Sequence, residues 1–271
     1  MGLWLLIGLG VLMLFIAAMQ HKKNSLCVGS KVEISASNQT YFVNEKEIDE
    51  IINASGDIKE RPIKSIDITA LENALQKNVW IKNAELYFEN NSLLHIDIEQ
   101  RQPIARLFTV NGTSTYLDKD ALRLPIKNTA TARVLVITNF TSNNEVLAHT
   151  DSLLLMDIKQ ISNFIYADSF WNAQIAQVNI TNTGKFELIP TVGNHIVKFG
   201  DANNLKEKFE RLYTFYTKAW IQNGIDTYNL IDIRFNNQVV ATKKGTLNYN
   251  IDSIKNMIVV TDSASIDSLI H

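Results

Sequence analysis

The chain has 271 residues, a formal net charge of −2, 46% hydrophobic residues and 20% charged residues. This ordinary globular composition excludes disordered, collagenous and coiled-coil proteins. The near-neutral charge excludes the basic surface with which nucleic-acid binders hold phosphate backbones. The one cysteine, Cys27, excludes an internal disulfide framework and a multi-thiolate zinc site, so we expect a buried, idle thiol there.

The N-terminus is a long apolar run. Residues 2–19 carry no charged side chain, and as a helix they would measure roughly 27 Å, close to a bilayer's hydrocarbon core of about 30 Å. We therefore predict a transmembrane anchor in residues 1–22, which includes Leu3, Trp4 and Met19. A cleaved signal peptide is the alternative, but it favours a basic N-terminal flank and a shorter apolar core of about 7–15 residues.

A β-α-α-β-β unit is predicted after the anchor. Residues 32–34 favour a strand, and Asn44, followed three residues later by Glu47, is typical of a helix N-terminus. A second helix is predicted from about Asp67. Apolar and polar residues then alternate over residues 84–99 around a turn, which predicts a hairpin with one buried face.

A second domain is predicted beyond the break in the pattern at residues 101–103. We expect an antiparallel β-domain with flanking helices, so the fold class is α+β with one N-terminal transmembrane helix. The predicted strands are 115–117, 133–137, 176–180, 186–188, 196–199, 230–235 and 238–242, the predicted helices are 151–166 and 203–222, and a loose tail follows residue 243.

No sequence motif points to chemistry. None of the five histidines has a second histidine or a cysteine four residues on, and the chain lacks a Gly-x-Ser-x-Gly elbow and a phosphate-binding Gly-Lys-Ser/Thr loop. We expect His95 to be solvated on the polar face of the hairpin and His195 to be a polar residue beside a turn. The sequence therefore predicts no catalytic residue, no cofactor and no metal.

Three stretches carry a family resemblance. A helix leads into Trp80-Ile81, the hairpin follows, and a Glu-x-x-x-Pro-hydrophobic-Ala segment runs from Glu99 to Ala105. The second stretch is Tyr116-Leu117-Asp118. The third follows a long predicted helix and reads Ile231-Asp232-Ile233-Arg234-Phe235. In this order they resemble the bacterial cell division family FtsQ/DivIB, from which Val79 and Phe235 depart by replacing a proline and a tyrosine.

The resemblance implies a POTRA domain at residues 30–101, an FtsQ-type β-domain at 102–243 and a flexible tail at 244–271. It also implies a non-catalytic scaffold of the division machinery, inserted in the cell inner membrane by a single pass. Most of the chain would lie in the periplasm, and the protein would be enriched at the septum. The implied partners are FtsB, FtsL and the lipid bilayer, with no nucleic acid and no small-molecule substrate.

The resemblance also implies a partner-binding site at the last strands, where an edge accepts a strand from FtsB. We expect residues 238–242 to be that open edge, and Arg234 to point outward and reach a carboxylate on the partner. The implied partner-binding residues are Ile231, Asp232, Ile233, Arg234, Phe235, Gln238, Val239, Val240, Ala241 and Thr242.

Other interpretations stay open. Lys22 and Lys23, by the positive-inside rule, would place the C-terminal side of the anchor in the cytoplasm, opposite to the implied orientation. POTRA units also occur in secretion and envelope-assembly systems, so an interaction module of such a system is the main alternative function. A membrane-tethered enzyme and a membrane-anchored sensor are further alternatives.

Overall fold

The protein is described by a computed structural model that covers residues 8–13, 25–36, 40–89, 91–224, 226–245 and 257–261, with the backbone alone for 219, 220 and 257–261. The chain divides into two compact units: Met1–Gln102 with Lys127–Thr131, and Pro103–Ile126 with Ala132–His271.

Residues 8–13 are helical. The predicted anchor residues Leu3, Trp4 and Met19 lie outside the described residues, so the anchor stays a prediction. Within the described ranges, the structure contains no helix with the length and the apolar character that a bilayer crossing requires.

The first unit has the predicted β-α-α-β-β order. Its strands form a three-stranded sheet in the order β1-β3-β2, with β1 parallel and β2 antiparallel to β3. The elements are β1 (Gly29–Ser35), α1 (Glu45–Ala54), a 3₁₀ turn (Ile63–Ser65), α2 (Ile68–Gln76), β2 (Ile81–Phe88) and β3 (Leu93–Gln100). Cys27 is buried, as predicted.

Side-chain caps begin both helices of this unit. The Glu47 amide donates to Asn44 Oδ1 at 2.9 Å, and the Ala70 amide donates to Asp67 Oδ1 at 3.0 Å. The Glu47 carboxylate accepts bonds from Asn78 Nδ2 and Lys127 Nζ, both at 2.9 Å. The predicted N-termini of both helices are therefore confirmed, because each cap satisfies an amide that the helix itself leaves free.

The prediction of a solvated His95 is wrong. Its ring stacks on that of Tyr87 at a centroid distance of 5.2 Å, and its Nε2 lies 3.2 Å from Glu89 Oε1. Tyr87 is directly opposite His95 in the β2–β3 register, and directly opposite side chains on one face are close neighbours. The aromatic neighbour leaves His95 only 6% exposed.

Strands of the second unit form one large sheet. In the described part of the chain its order is β13-β12-β11-β10-β9-β8-β7-β4-β5-β6. The strands are β4 (Pro103–Thr109), β5 (Ser114–Asp118), β6 (Arg123–Leu124), β7 (Leu135–Phe140), β8 (Ile175–Ile180), β9 (Phe186–Pro190), β10 (Ile196–Gly200), β11 (Tyr228–Asp232), β12 (Gln238–Lys243) and β13 (Met257–Thr261). The helices are α3 (His149–Ala167), α4 (Ser169–Gln174) and α5 (Leu205–Thr214), which continues as a π-helical stretch (Phe215–Trp220) and a last turn (Ile221–Asn223).

This sheet is mixed, so the prediction of a purely antiparallel β-domain is wrong. Three pairs are parallel: β4 with β7, β7 with β8, and β10 with β11. Parallel neighbours need a crossover connection, and here α3 and α4 follow β7 while α5 follows β10. Strand β4 was not predicted, because it begins at Pro103, within the apparent break, where the first position of a strand tolerates proline.

Aromatic residues of the helices fill the core of this unit. Phe209 of α5 packs against Phe164 at 4.6 Å, Trp171 at 4.8 Å and Phe199 at 5.1 Å between ring centroids. Leu212 and the isoleucines of α3 belong to the same buried cluster as the inward residues of the strands. Helix α5 therefore supports the sheet beneath β10, which precedes it, through an apolar face.

His195 is more than a polar residue beside a turn. It is 2% exposed, and its Nε2 lies 2.9 Å from the Tyr216 hydroxyl. Burial, with a smaller contribution from the positive charge of Lys244, lowers the pKa of this imidazole from 6.5 to about 4. Burial also raises the pKa of the Tyr216 hydroxyl well above its ordinary value. Both side chains are therefore neutral at pH 7.

Removing His195 should flatten the acid dependence of stability. The unfolded chain takes up the imidazole proton near pH 6.5, and the folded chain does so only near pH 4. Stability is therefore lost as the pH falls from 6.5 to 4, by at most about 3 kcal/mol. Urea denaturation across this range should show the loss in the native chain and a smaller loss in His195→Gln. Equal losses in the two proteins would contradict this assignment.

Candidate docking edge of the large sheet

The predicted site residues lie in one β-hairpin. Strands β11 and β12 pair antiparallel, with Ile231 opposite Ala241 and Asp232 opposite Val240. Asn237 in the turn has a φ of 60°, a left-handed conformation that asparagine adopts more readily than most residues. The hairpin thus brings the ten predicted partner-binding residues together, as strand residues or in the turn between the strands.

Buried contacts fix the hairpin on the core side. Ile231, Ile233, Val239 and Ala241 are all at most 2% exposed. The Ile233 amide donates to the Lys198 carbonyl at 3.1 Å, and Arg211 of α5 donates through Nη2 to the Ile233 carbonyl at 3.1 Å. The residues that follow β11 are therefore held from both the neighbouring strand and the supporting helix.

Arg234 forms an ion pair within the hairpin. Its Nε donates to Asp232 Oδ1 at 2.9 Å and its Nη2 to Oδ2 at 2.6 Å, while its amide donates to Oδ1 at 3.1 Å. The Asp232 side chain is 10% exposed and that of Arg234 is 47% exposed. This bidentate contact raises the pKa of the guanidinium further above its ordinary value. The carboxylate predicted to come from a partner is thus supplied by Asp232 itself.

Two neighbours orient the arginine. The alkyl part of Arg234 lies over Gly200, where an added Cβ would come within 3.1 Å of the arginine Cγ, and Gly200 has a φ of +87°. The guanidinium carbon lies 5.8 Å from the centre of the Phe235 ring, which is 45% exposed. Glycine is therefore required at position 200 both for its backbone conformation and for the close approach of Arg234.

The outer edge of β12 is occupied. Strand β13 pairs antiparallel with it at five positions, from Gln238 opposite Thr261 to Thr242 opposite Met257. The prediction that residues 238–242 form the open edge of the sheet is therefore wrong. The prediction of a loose tail at 244–271 is wrong for the part that forms β13.

A local signal for β13 was present but was not used. Residues 257–261 read Met-Ile-Val-Val-Thr, a short uncharged run in which β-branched residues favour a strand. Within the polar C-terminal stretch this run was interpreted as scattered apolar residues. Gly200 and Arg211, which hold the hairpin, were also missed, because their roles depend on contacts between segments distant in sequence.

The geometry of this edge suits binding rather than bond making. It offers strand backbone, an exposed aromatic ring and an arginine already paired with a carboxylate. In the described residues, no three His, Cys, Asp or Glu side chains converge as a metal site would require.

Comparison with known families identifies the chain. A family model described as FtsQ/DivIB, C-terminal related, matches residues 102–242. The chain belongs to the FtsQ/DivIB family. A POTRA-like domain model matches residues 25–99, which agrees with the β-α-α-β-β order of the first unit. Among individually curated proteins, none matches the chain. FtsQ/DivIB is a non-catalytic division scaffold family, and this membership points to a scaffold role in cell division.

Replacing Arg234 should destabilise the second unit. Arg234→Met keeps an alkyl chain over Gly200 but leaves the largely buried Asp232 carboxylate without its guanidinium, at a cost of about 1–2 kcal/mol in the free energy of unfolding. Urea denaturation followed by tryptophan fluorescence measures this.

Lys206→Met is the matched control, because Lys206 and Glu210 form an exposed pair with side chains 77% and 64% accessible. Such a pair contributes about 0–0.5 kcal/mol. Equal effects of the two substitutions would show that the Arg234–Asp232 contact contributes nothing special to the hairpin.

Proposed function

We propose that this FtsQ/DivIB-family protein is a membrane-anchored, non-catalytic scaffold of the bacterial division machinery. It binds FtsB and FtsL by accepting an extended strand at the C-terminal edge of its large sheet, and so helps to assemble the septum. Residues 2–19 are its single pass through the inner membrane, the bulk of the chain lies in the periplasm, and the protein concentrates at the division site.

One observation carries the binding mode: the outer edge of β12 pairs with a strand that is not its neighbour through a tight turn. Residues 244–256 separate β12 from β13, yet the two strands pair at five consecutive positions. Strand addition uses backbone N–H and C=O groups, which every extended segment carries. An edge that accepts β13 therefore has the geometry to accept a strand of another protein.

The hairpin is prepared for such a partner before it binds. Its core-facing residues are buried, and the Asp232–Arg234 pair and the Arg211 bond to Ile233 fix the turn. A preformed site loses less conformational entropy on binding than one that must order first. Val240 and Gln238 alternate with the buried Val239 and Ala241 and are half-buried, so they are the side chains of β12 that give the edge its specificity.

Phe235 is the side chain of the site that a partner covers. It lies in the turn beside the edge, its ring is 45% exposed, and Arg234 lies against it. Aromatic residues next to an ordered arginine are typical of the residues that dominate interface energies.

Phe235→Ala should weaken FtsB binding about 10-fold to 100-fold, as the loss of an aromatic anchor does at other interfaces. The measurement is a titration of the full chain with FtsB and FtsL of the same organism. Phe170→Ala is the matched control, because Phe170 is a 40% exposed phenylalanine on α4 of the same unit. Unchanged binding by Phe235→Ala, or an equal loss in the control, would contradict the proposed site.

A further inference from the structure

Strand β13 is held by the sheet from one side, as β6 is at the opposite end. Among the described residues it lies at the end of the sheet and pairs with β12 alone, whereas β12 pairs on its other side with β11. Two side chains of β12, Val239 and Ala241, are part of the buried core. Strand β12 is therefore fixed on its inner side, and β13 can leave without breaking any other strand pair of the described sheet.

The strand that covers β12 lies beyond the match to the family. The FtsQ/DivIB family model covers the chain up to residue 242, one residue before β12 ends, and β13 begins at Met257. The covering strand is therefore contributed by a segment outside the matched range.

A strand of five residues at the end of a sheet is held weakly. The net stabilisation from each backbone hydrogen bond is small, and ordering each residue has a comparable entropic cost. Its advantage over a separate molecule is its attachment to the same chain, because a short connection keeps it at an effective concentration on the order of millimolar. Such a segment shields the edge from unrelated strands and yields to a partner that makes further contacts.

We infer that residues 257–261 are a built-in competitor for the docking edge: they occupy β12 in the free protein and are displaced when a partner's strand pairs there. The inference rests on the proposed function. Strand exchange accounts for an edge that is both protected from aggregation and open to one partner. While residues 257–261 are paired with β12, a partner's strand cannot pair there. The larger the fraction of molecules in this paired state, the lower the apparent affinity of the protein for its partner.

Two probes test the exchange with the full chain and a chain that ends at Gly245. The first is a labelled peptide with the sequence of residues 254–264, and the second is FtsB of the same organism. We expect the shortened chain to bind the peptide at least about 10-fold more tightly than the full chain, and FtsB about 10-fold more tightly. Neighbouring amides of a strand face opposite sides, so either Val239→Pro or Val240→Pro removes an amide of the docking edge; in the shortened chain at least one of the two should abolish peptide binding.

Proline substitutions in the full chain test the same exchange if the shortened chain does not fold. Ile258→Pro and Val259→Pro lie at consecutive positions, so one of them removes an amide that faces β12. At least one should reproduce the gain in affinity for both probes. Ser265→Pro, outside the paired residues, is the control and should bind as the native chain does.

The outcomes separate the two proposals. Equal peptide affinity of the full and shortened chains would overturn the exchange. Loss of FtsB binding on shortening would also overturn it, because the partner would then pair with β13 rather than replace it. If the peptide binds as expected and neither chain binds FtsB, the competitor role of residues 257–261 stands and the proposed partner is wrong.

Discussion

The backbone hydrogen bonds at the end of the large sheet are the constraint on which this protein's function depends. A strand at the edge of a sheet presents N–H and C=O groups that no neighbour satisfies, and such an edge pairs readily with any extended chain. In this chain β12 would be that edge, and β13 covers it. A partner that adds a strand there, as we propose, has to compete with β13 for the same row of backbone groups.

Side chains on the inner side of the β11–β12 hairpin hold the backbone groups of β12 in a fixed position. Asp232 and Arg234 form an ion pair, and the alkyl part of Arg234 packs closely over Gly200. Arg211 donates a hydrogen bond to the Ile233 carbonyl. Because these contacts are complete within the chain, the hairpin needs no partner to keep its shape. The ion pair therefore positions β12, whose backbone is the binding surface that we propose.

Membership of the FtsQ/DivIB family agrees with a role in binding other proteins. The family is one of non-catalytic division scaffolds, and its model matches the whole of the second unit's sheet up to β12. The POTRA-like match covers the first unit's strands and helices nearly completely. In the part of the chain that the structure describes, no group of metal-ligating side chains converges in either unit.

Local patterns in the sequence predicted the elements well, and non-local contacts decided the rest. The cap at Asn44, the start of a helix near Asp67 and the alternation in β2 and β3 depend on neighbouring positions, so the sequence alone was sufficient to predict them. The burial of His95 depends on the strand opposite it. The pairing of Arg234 with Asp232 is local, but it requires the arginine side chain to fold back over Gly200 of the neighbouring strand.

The candidate site shows the same limit. The ten residues predicted for the site lie in one hairpin, because β11 and β12 are consecutive strands joined by a turn; their binding to a partner stays a prediction. The occupation of the β12 edge was missed, because pairing between segments separated by residues 244–256 leaves no periodic signal in either one. The parallel pairs of the sheet were missed for a similar reason, since strand direction is set by how the intervening segment crosses the sheet. That segment forms helices after β7 and β10, and it forms β5 and β6 between β4 and β7.

A reversible disulfide between β12 and β13 tests most directly whether a partner's strand has to displace β13. Val240 and Val259 are directly opposite in the register, so Val240→Cys with Val259→Cys, in a chain that also carries Cys27→Ser, can form a disulfide that holds β13 in place. The account predicts that the oxidised protein does not bind FtsB and that the same sample binds it after reduction. Equal FtsB binding in the oxidised and reduced states would contradict it.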